Sequence, residues 1–223
     1  MKIRFLLALA AAALVLGGCF SVNSDIEVAA GERVERPLST VNGRVRVGDG
    51  AIVERSMTTV NGGIEIGAEA SVASVETVNG KIVLGRDAQA KSLATVNGPI
   101  QIEAGARVAG DIKAVNGRVV LEPGAEVAGQ VESVNGQIWL KAARAGSLSN
   151  VAGGMILESG SVVSGELRVR KPRSGSPGPV TIVIHAGARV DGPLVFEREV
   201  KLQVHREAII GTVEGATPEY FEN

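Results

Sequence analysis

The sequence predicts an all-β protein, a single-stranded parallel β-helix whose chain coils about one axis and stacks turn upon turn. Three observations carry that expectation. A unit of about 18–19 residues recurs along most of the 223-residue chain. Inside each unit apolar and polar side chains alternate, as in Ile100-Gln101-Ile102, which is the period of a strand and not of a helix. Aromatic residues make up only 3% while glycine occurs 29 times, so the core must be filled by small branched side chains at regular intervals.

The repeat is read from its columns. The valine of a Val-Asn-Gly triplet stands at Val41, Val60, Val78, Val96, Val115 and Val134, with diverged copies at Val22 and Val151. The step between successive valines holds to within a residue or so along this whole series. Four residues after each valine comes another apolar column: Ile26, Val45, Ile64, Ile82, Ile100, Val119, Ile138 and Met155. Two further on lies a third, from Val28 and Val47 to Leu140 and Leu157. Three short sides of about six residues close one turn, and stacking at about 4.8 Å pairs each backbone group with the next turn. Roughly ten turns then give a rod about 45 Å long. A propeller or a stack of hairpins fits less well, because blades need about twice this repeat length. Crossover sterics favour a right-handed coil.

Within the triplet, the valine is expected to point inward. The asparagines Asn42, Asn61, Asn79, Asn97, Asn116 and Asn135 either take left-handed backbone geometry or form a ladder of side-chain amides. The glycine is expected to permit a tight corner. These residues read as the structural corner of a turn and not as a ligand motif.

Residues 1–18 read as a secretory signal, with Lys2 and Arg4 ahead of an apolar run too short to span a bilayer comfortably. Its end, Leu16-Gly17-Gly18-Cys19, resembles the lipobox of bacterial lipoproteins. The resemblance implies cleavage before Cys19, a diacylglycerol on its sulfur, an acyl chain such as palmitate on its amine, and so a membrane anchor. Cys19 is the only cysteine, leaving no disulfide to assign. Phe20 stands where inner-membrane retention goes with Asp, which implies the outer membrane, facing the periplasm. The expected division is signal 1–18, lipidated N-terminus 19–21, β-helix 22–215 and a C-terminal cap or tail 216–223. Without Lys2 and Arg4 the mature chain holds 21 basic and 24 acidic side chains, both signs scattered, which gives no footprint for nucleic acid.

Departures from the pattern are where function is expected. One is a basic loop inserted near 170–179, either a solvent loop or a contact for an anion or polysaccharide. A second is the outward position between the two buried strand residues. It is Arg46, Glu65 and Gln101 early in the chain, then Val120, Trp139, Ile156 and Val183 in consecutive turns. That ladder is either a patch for a partner or second copy, or a surface covered by the inserted loop or the C-terminal tail. His185 and His205 fall at the same step of adjacent turns, where stacking of exposed rings is expected in place of a metal site.

No clustered acids, nucleophile elbow, phosphate loop or zinc motif stands in the sequence, so no catalytic residue, metal or cofactor is assigned. The repeated [ST]-V-N-G-x-I-x-[IL], with Ala-Arg-Val-Ala-Gly-Asp-Ile (106–112) and Ala-Glu-Val-Ala-Gly-Gln-Val (125–131), resembles the bacterial β-helical adhesin repeats. It is also similar to bactofilins, the polymer-forming cytoskeletal proteins. The resemblance spans about 22–213. It implies a non-enzymatic, adhesin-like structural or interaction module of the cell envelope, contacting an envelope protein or polysaccharide. The bactofilin likeness implies instead a scaffold that self-associates through its ends.

Overall fold

Each turn of the chain spends its apolar residues on one interior and its glycines on the edges of a triangular coil. The computed structural model describes residues 19–173 and 178–222. The expected signal, residues 174–177 of the inserted loop and Asn223 lie outside the described residues. Among the described residues every regular element is a strand and every strand pairing is parallel.

An 11-stranded sheet takes one strand from each turn, in chain order. It begins at Ile26–Val28 and Val45–Val47, passes through Ile100–Ile102, Val119–Leu121 and Ile138–Leu140, and ends at Val200–His205 and Glu219–Phe221. A 17-stranded sheet wraps the other two sides. It is continuous because strands such as Ser71–Asn79 and Gln89–Asn97 run unbroken round the edge between those sides. Register is strict: Ile82 lies on Ile100, Ile100 on Val119 and Val119 on Ile138. The result is a parallel β-solenoid of about ten turns, as the repeat predicts.

The interior is a bundle of stacked columns. Ile64, Ile82, Ile100, Val119 and Ile138 are fully buried, as are Leu84, Ile102, Leu121 and Leu140 two residues on. A third column is almost all alanine, Ala51, Ala70, Ala88, Ala106, Ala125 and Ala143, where the triangle narrows. Each large side chain so buried contributes about 1.5–3 kcal/mol against the entropy of ordering its turn.

The triplet is corrected by the structure on two counts. Its valine does not fill the interior: Val60, Val78, Val96, Val115 and Val134 are half-buried. The inward residue is the one before it, Thr40, Thr59, Thr77, Thr95, Ala114 and Ser133, all at 4% exposure or less. A hydroxyl is tolerated there because each donates to a backbone carbonyl one turn below. Thr59 reaches Gly43 O at 3.0 Å, Thr77 reaches Gly62 O at 2.9 Å and Ser133 reaches Gly117 O at 3.3 Å. A buried polar group with its partner in place costs little.

The glycine is required by stacking and not by a tight turn. A Cβ on Gly98 would lie 2.1 Å from the carbonyl oxygen of Gly80, and one on Gly117 only 1.8 Å from that of Gly98. Among the triplet glycines only Gly98 has a positive φ, at 155°, and the regular left-handed corner lies elsewhere, after the strand of the 11-stranded sheet. Gly105, Gly124 and Gly160 take positive φ there, and Glu69, Asp87 and Ala142 take it in three turns without glycine. None of the triplet asparagines has positive φ. They form the amide ladder, each Nδ2 donating to the Oδ1 one turn below, from Asn42 on Asn23 at 2.8 Å to Asn135 on Asn116 at 2.7 Å.

The insertion lengthens one turn, so that Met155 pairs with Ile182 across the whole of the inserted loop and the register resumes beyond it. At the C-terminus, the segment expected as a cap or tail supplies a last strand. Glu219–Phe221 pairs with Gln203–His205 and extends the sheet.

Candidate docking face

The outward side of the 11-stranded sheet is built from three parallel columns, because residues on either side of an inward strand residue share the outer face. The central column reads Glu27, Arg46, Glu65, Val83, Gln101, Val120, Trp139, Ile156, Val183 and Gln203, each paired with the next. The four apolar residues singled out from sequence therefore stand in one ladder, all half-buried, bounded by Gln101 below and Gln203 above.

The column after the strand carries Glu103, Glu122, Lys141, Glu158 and His185 in successive turns. Three of these fix Trp139. Its indole N–H donates to Glu158 Oε1 at 2.8 Å, and Lys141 Nζ lies 4.5 Å from the ring centre. Lys141 is held in turn by Glu122 Oε1 at 2.9 Å. The indole is thus oriented by a hydrogen bond and a cation–π contact. Nothing in the sequence hints at this network. Trp139 and Lys141 share a turn, two residues apart, while Glu122 and Glu158 come from the turns on either side and are brought in by the register.

The column before the strand carries Arg118, Gln137, Gly154 and Thr181. Arg118 is exposed, and among the described residues its guanidinium has no ion-pair partner. Lower on the same face the central column is charged. Arg46 lies 3.1 Å from Glu27, 3.5 Å from Asp25 and 3.7 Å from Glu65, an exposed cluster of small energetic weight.

At the base of the inserted loop, Arg168 is shared between Glu166 and Glu197, and Arg170 pairs with Glu132. Glu197 is held below the ordinary carboxylate range, first by the backbone N–H of Lys171 and then by Arg168. Arg198 reaches Val151 O at 2.8 Å and Gly178 O at 2.6 Å, which fastens the loop's return. Val151 belongs to the diverged triplet, where Asn150 has taken the inward hydroxyl position. Asn150 is fully buried, donates to Gly136 O at 2.8 Å and accepts from the N–H groups of Val151 and Gly153. Ala152 follows where the exposed asparagine would be, so the amide ladder stops at Asn135.

The two histidines are not a pair of exposed stacked rings. His205 is only 7% exposed, and both rings stand nearly perpendicular to Phe221, with ring centres 6.0 Å away for His185 and 5.3 Å for His205. The N–H of Glu207 donates to His205 Nδ1 at 3.1 Å. Among the described residues no group of three or more His, Cys, Asp or Glu is placed to hold a metal ion.

Cys19 opens the first strand, Cys19–Ser21, whose partner is Leu38–Thr40 in the register Cys19 to Leu38. Comparison with protein-family models, with curated proteins and with solved structures gives no match to the chain. The assignment therefore rests on the chain's own geometry: it is a parallel β-solenoid with one apolar ladder on its 11-stranded face.

Proposed function

We propose that this chain is a non-enzymatic lipoprotein of the outer membrane, a stiff adhesin-like rod anchored through Cys19 that presents a docking face in the periplasm. The observation that supports the reading is the pairing of Cys19–Ser21 with Leu38–Thr40. The residue expected to carry the lipid belongs to the first turn, with no flexible linker between anchor and rod. A tether of ten flexible residues would let the rod swing through roughly 15–20 Å. Built into the stack, the anchor instead fixes heights: Trp139, six turns above Glu27, stands about 30 Å up the rod.

The test is fractionation with mass measurement of the mature N-terminus. An acylated Cys19 and recovery with the outer membrane are expected, with release of the Cys19→Ser chain into the soluble fraction. A free Cys19 thiol, or a Cys19→Ser chain still held at the membrane, overturns the anchoring.

A second reading, an end-joined scaffold of the bactofilin kind, is favoured by a separate observation. Among the described residues the exposed large apolar side chains are Val22 (49%), Ile209 (57%) and Tyr220 (57%), in the first and last turns. Against it, acids outnumber bases at both ends, Asp25, Glu27, Glu32 and Glu35 against Arg33 and Arg36 at one, and Glu207, Glu214, Glu219 and Glu222 against Lys201 and Arg206 at the other. Joining head to tail brings like charges together. A chain without lipid that sediments as a monomer at all concentrations removes this reading.

A further inference from the structure

We propose that the apolar ladder is the seat of a second copy of the chain, laid alongside the first with both rods pointing the same way. The inference rests on anchoring at the Cys19 end.

The face has a polarity that selects this arrangement. Arg118 lies on one side of the ladder and Glu122 on the other, in the same turn as Val120. A two-fold axis running along the rod lays each residue of the ladder on its own counterpart. It also sets Arg118 against the partner copy's Glu122, at the same height. The guanidinium of Arg118, without an ion-pair partner among the described residues of its own chain, then meets a carboxylate twice over.

An axis across the rod would instead bring Lys141 near Glu158. Both are already engaged within one chain, Lys141 by Glu122 and the Trp139 ring, Glu158 by the indole N–H. Glu122 is engaged too, by Lys141, so what separates the two arrangements is Arg118: only the parallel one gives its guanidinium a carboxylate to meet. The axis across the rod would also send the two Cys19 ends in opposite directions, which two copies anchored in one leaflet cannot do. Charge and anchor therefore favour the same parallel pairing.

The size of the patch says where it operates. Four turns about 4.8 Å apart and a strand about 10 Å long offer about 200 Å² per copy, well below the roughly 800 Å² of a stable soluble interface. A contact of that size is weak in solution. It gains strength when both copies are held by the same end on a surface, which fixes their orientation and raises their local concentration.

The experiment uses a unique thiol. In cells, acylation of Cys19 leaves an introduced Ile156→Cys as the one free thiol, and acylation is read separately from the mass of the N-terminus. In parallel, the Cys19→Ser, Ile156→Cys chain with an N-terminal polyhistidine tag is placed on vesicles containing nickel-chelating lipid. That arm supplies the tether whatever the fate of Cys19, so failure of anchoring and failure of pairing are told apart.

Mild oxidation should crosslink Ile156→Cys chains on vesicles about fivefold more than Thr58→Cys controls on another face, and more than the same chains without a surface. Arg118→Glu should abolish the difference, and Arg118→Glu with Glu122→Arg should restore it, melting temperatures being matched. Crosslinking no greater than the control overturns the proposal. So does preferential joining of Val120→Cys to Val183→Cys chains, the signature of opposed rods. Capture in cells of a different envelope protein by Ile156→Cys, in place of self-crosslinking, also overturns it.

Discussion

The first seven turns and the turns after Asn150 are built on one plan yet solve it differently. In the first group each column repeats one chemistry: Thr, Thr, Thr inward, glycine on glycine at the edge, and Asn on Asn outside. Each turn is satisfied by a copy of itself, and the central outward column stays charged or polar apart from Val83 until Val120. In the second group the amide moves inward at Asn150, the ladder ends, and a loop enters on fastenings supplied by Arg168, Arg170 and Arg198. The apolar ladder straddles this change. Repetition alone can hold a rod together, whereas a surface with an address requires the repetition to be broken and the break to be repaired.

The largest effect should come from the regular half. Gly117→Ala pushes a methyl group into the carbonyl of Gly98, where neither backbone can yield without disturbing the turns on both sides. A loss of roughly 3 kcal/mol or more is expected, read by denaturant unfolding. A mild effect would mean that the stacked glycines have slack, and that the regular half is less tightly determined than its columns imply.

Next in size is a contrast between two amides. Asn150→Ala leaves the Gly136 carbonyl and two backbone N–H groups without partners in a fully buried site, and should cost about 2–3 kcal/mol. Asn97→Val removes an exposed link of the ladder that water can replace, and should cost about 1 kcal/mol. Thermal unfolding of both variants decides. Equal losses would erase the distinction between an amide that repeats and one that repairs.

The smallest effect concerns Glu76, which faces outward between Thr58 and Ala94. Partial burial raises its carboxyl above the ordinary value. An acid raised by folding disfavours its ionised form in the native state, so it weakens the fold at neutral pH. That penalty fades as pH falls through the raised value. Glu76→Gln should therefore raise the melting temperature slightly at pH 7, with the gain shrinking toward pH 4. A gain that grows on acidification contradicts the assigned cause.

Much of the architecture was legible because a solenoid writes its contacts as sequence spacing. The step between like apolar residues is both the repeat and the register, so Ile82 on Ile100 could be read directly. The same logic placed Val120, Trp139, Ile156 and Val183 in one line. The triplet misled in its details because alternation leaves the phase open at a corner. Val96 is the natural core residue by hydropathy, but Thr95 faces inward since its hydroxyl finds a carbonyl one turn below. Glycine suggested a tight corner, yet the left-handed turn falls at Gly105 and Ala142, while Gly117 answers to the crowding of the turn beneath.

What the sequence by itself determined is the set of columns: strand type, turn length, number of turns and which side chains repeat one above another. Those follow from periodicity, which is a one-dimensional property. Tertiary structure alone decided how neighbours in different columns meet. The indole of Trp139 between Lys141 and Glu158, Phe221 between two histidines, and Arg118 exposed without an ion-pair partner among the described residues depend on which way side chains of adjacent columns turn. Adjacent columns stand two residues apart on a strand, but which neighbour each side chain meets is decided by packing across turns, and periodicity does not record it.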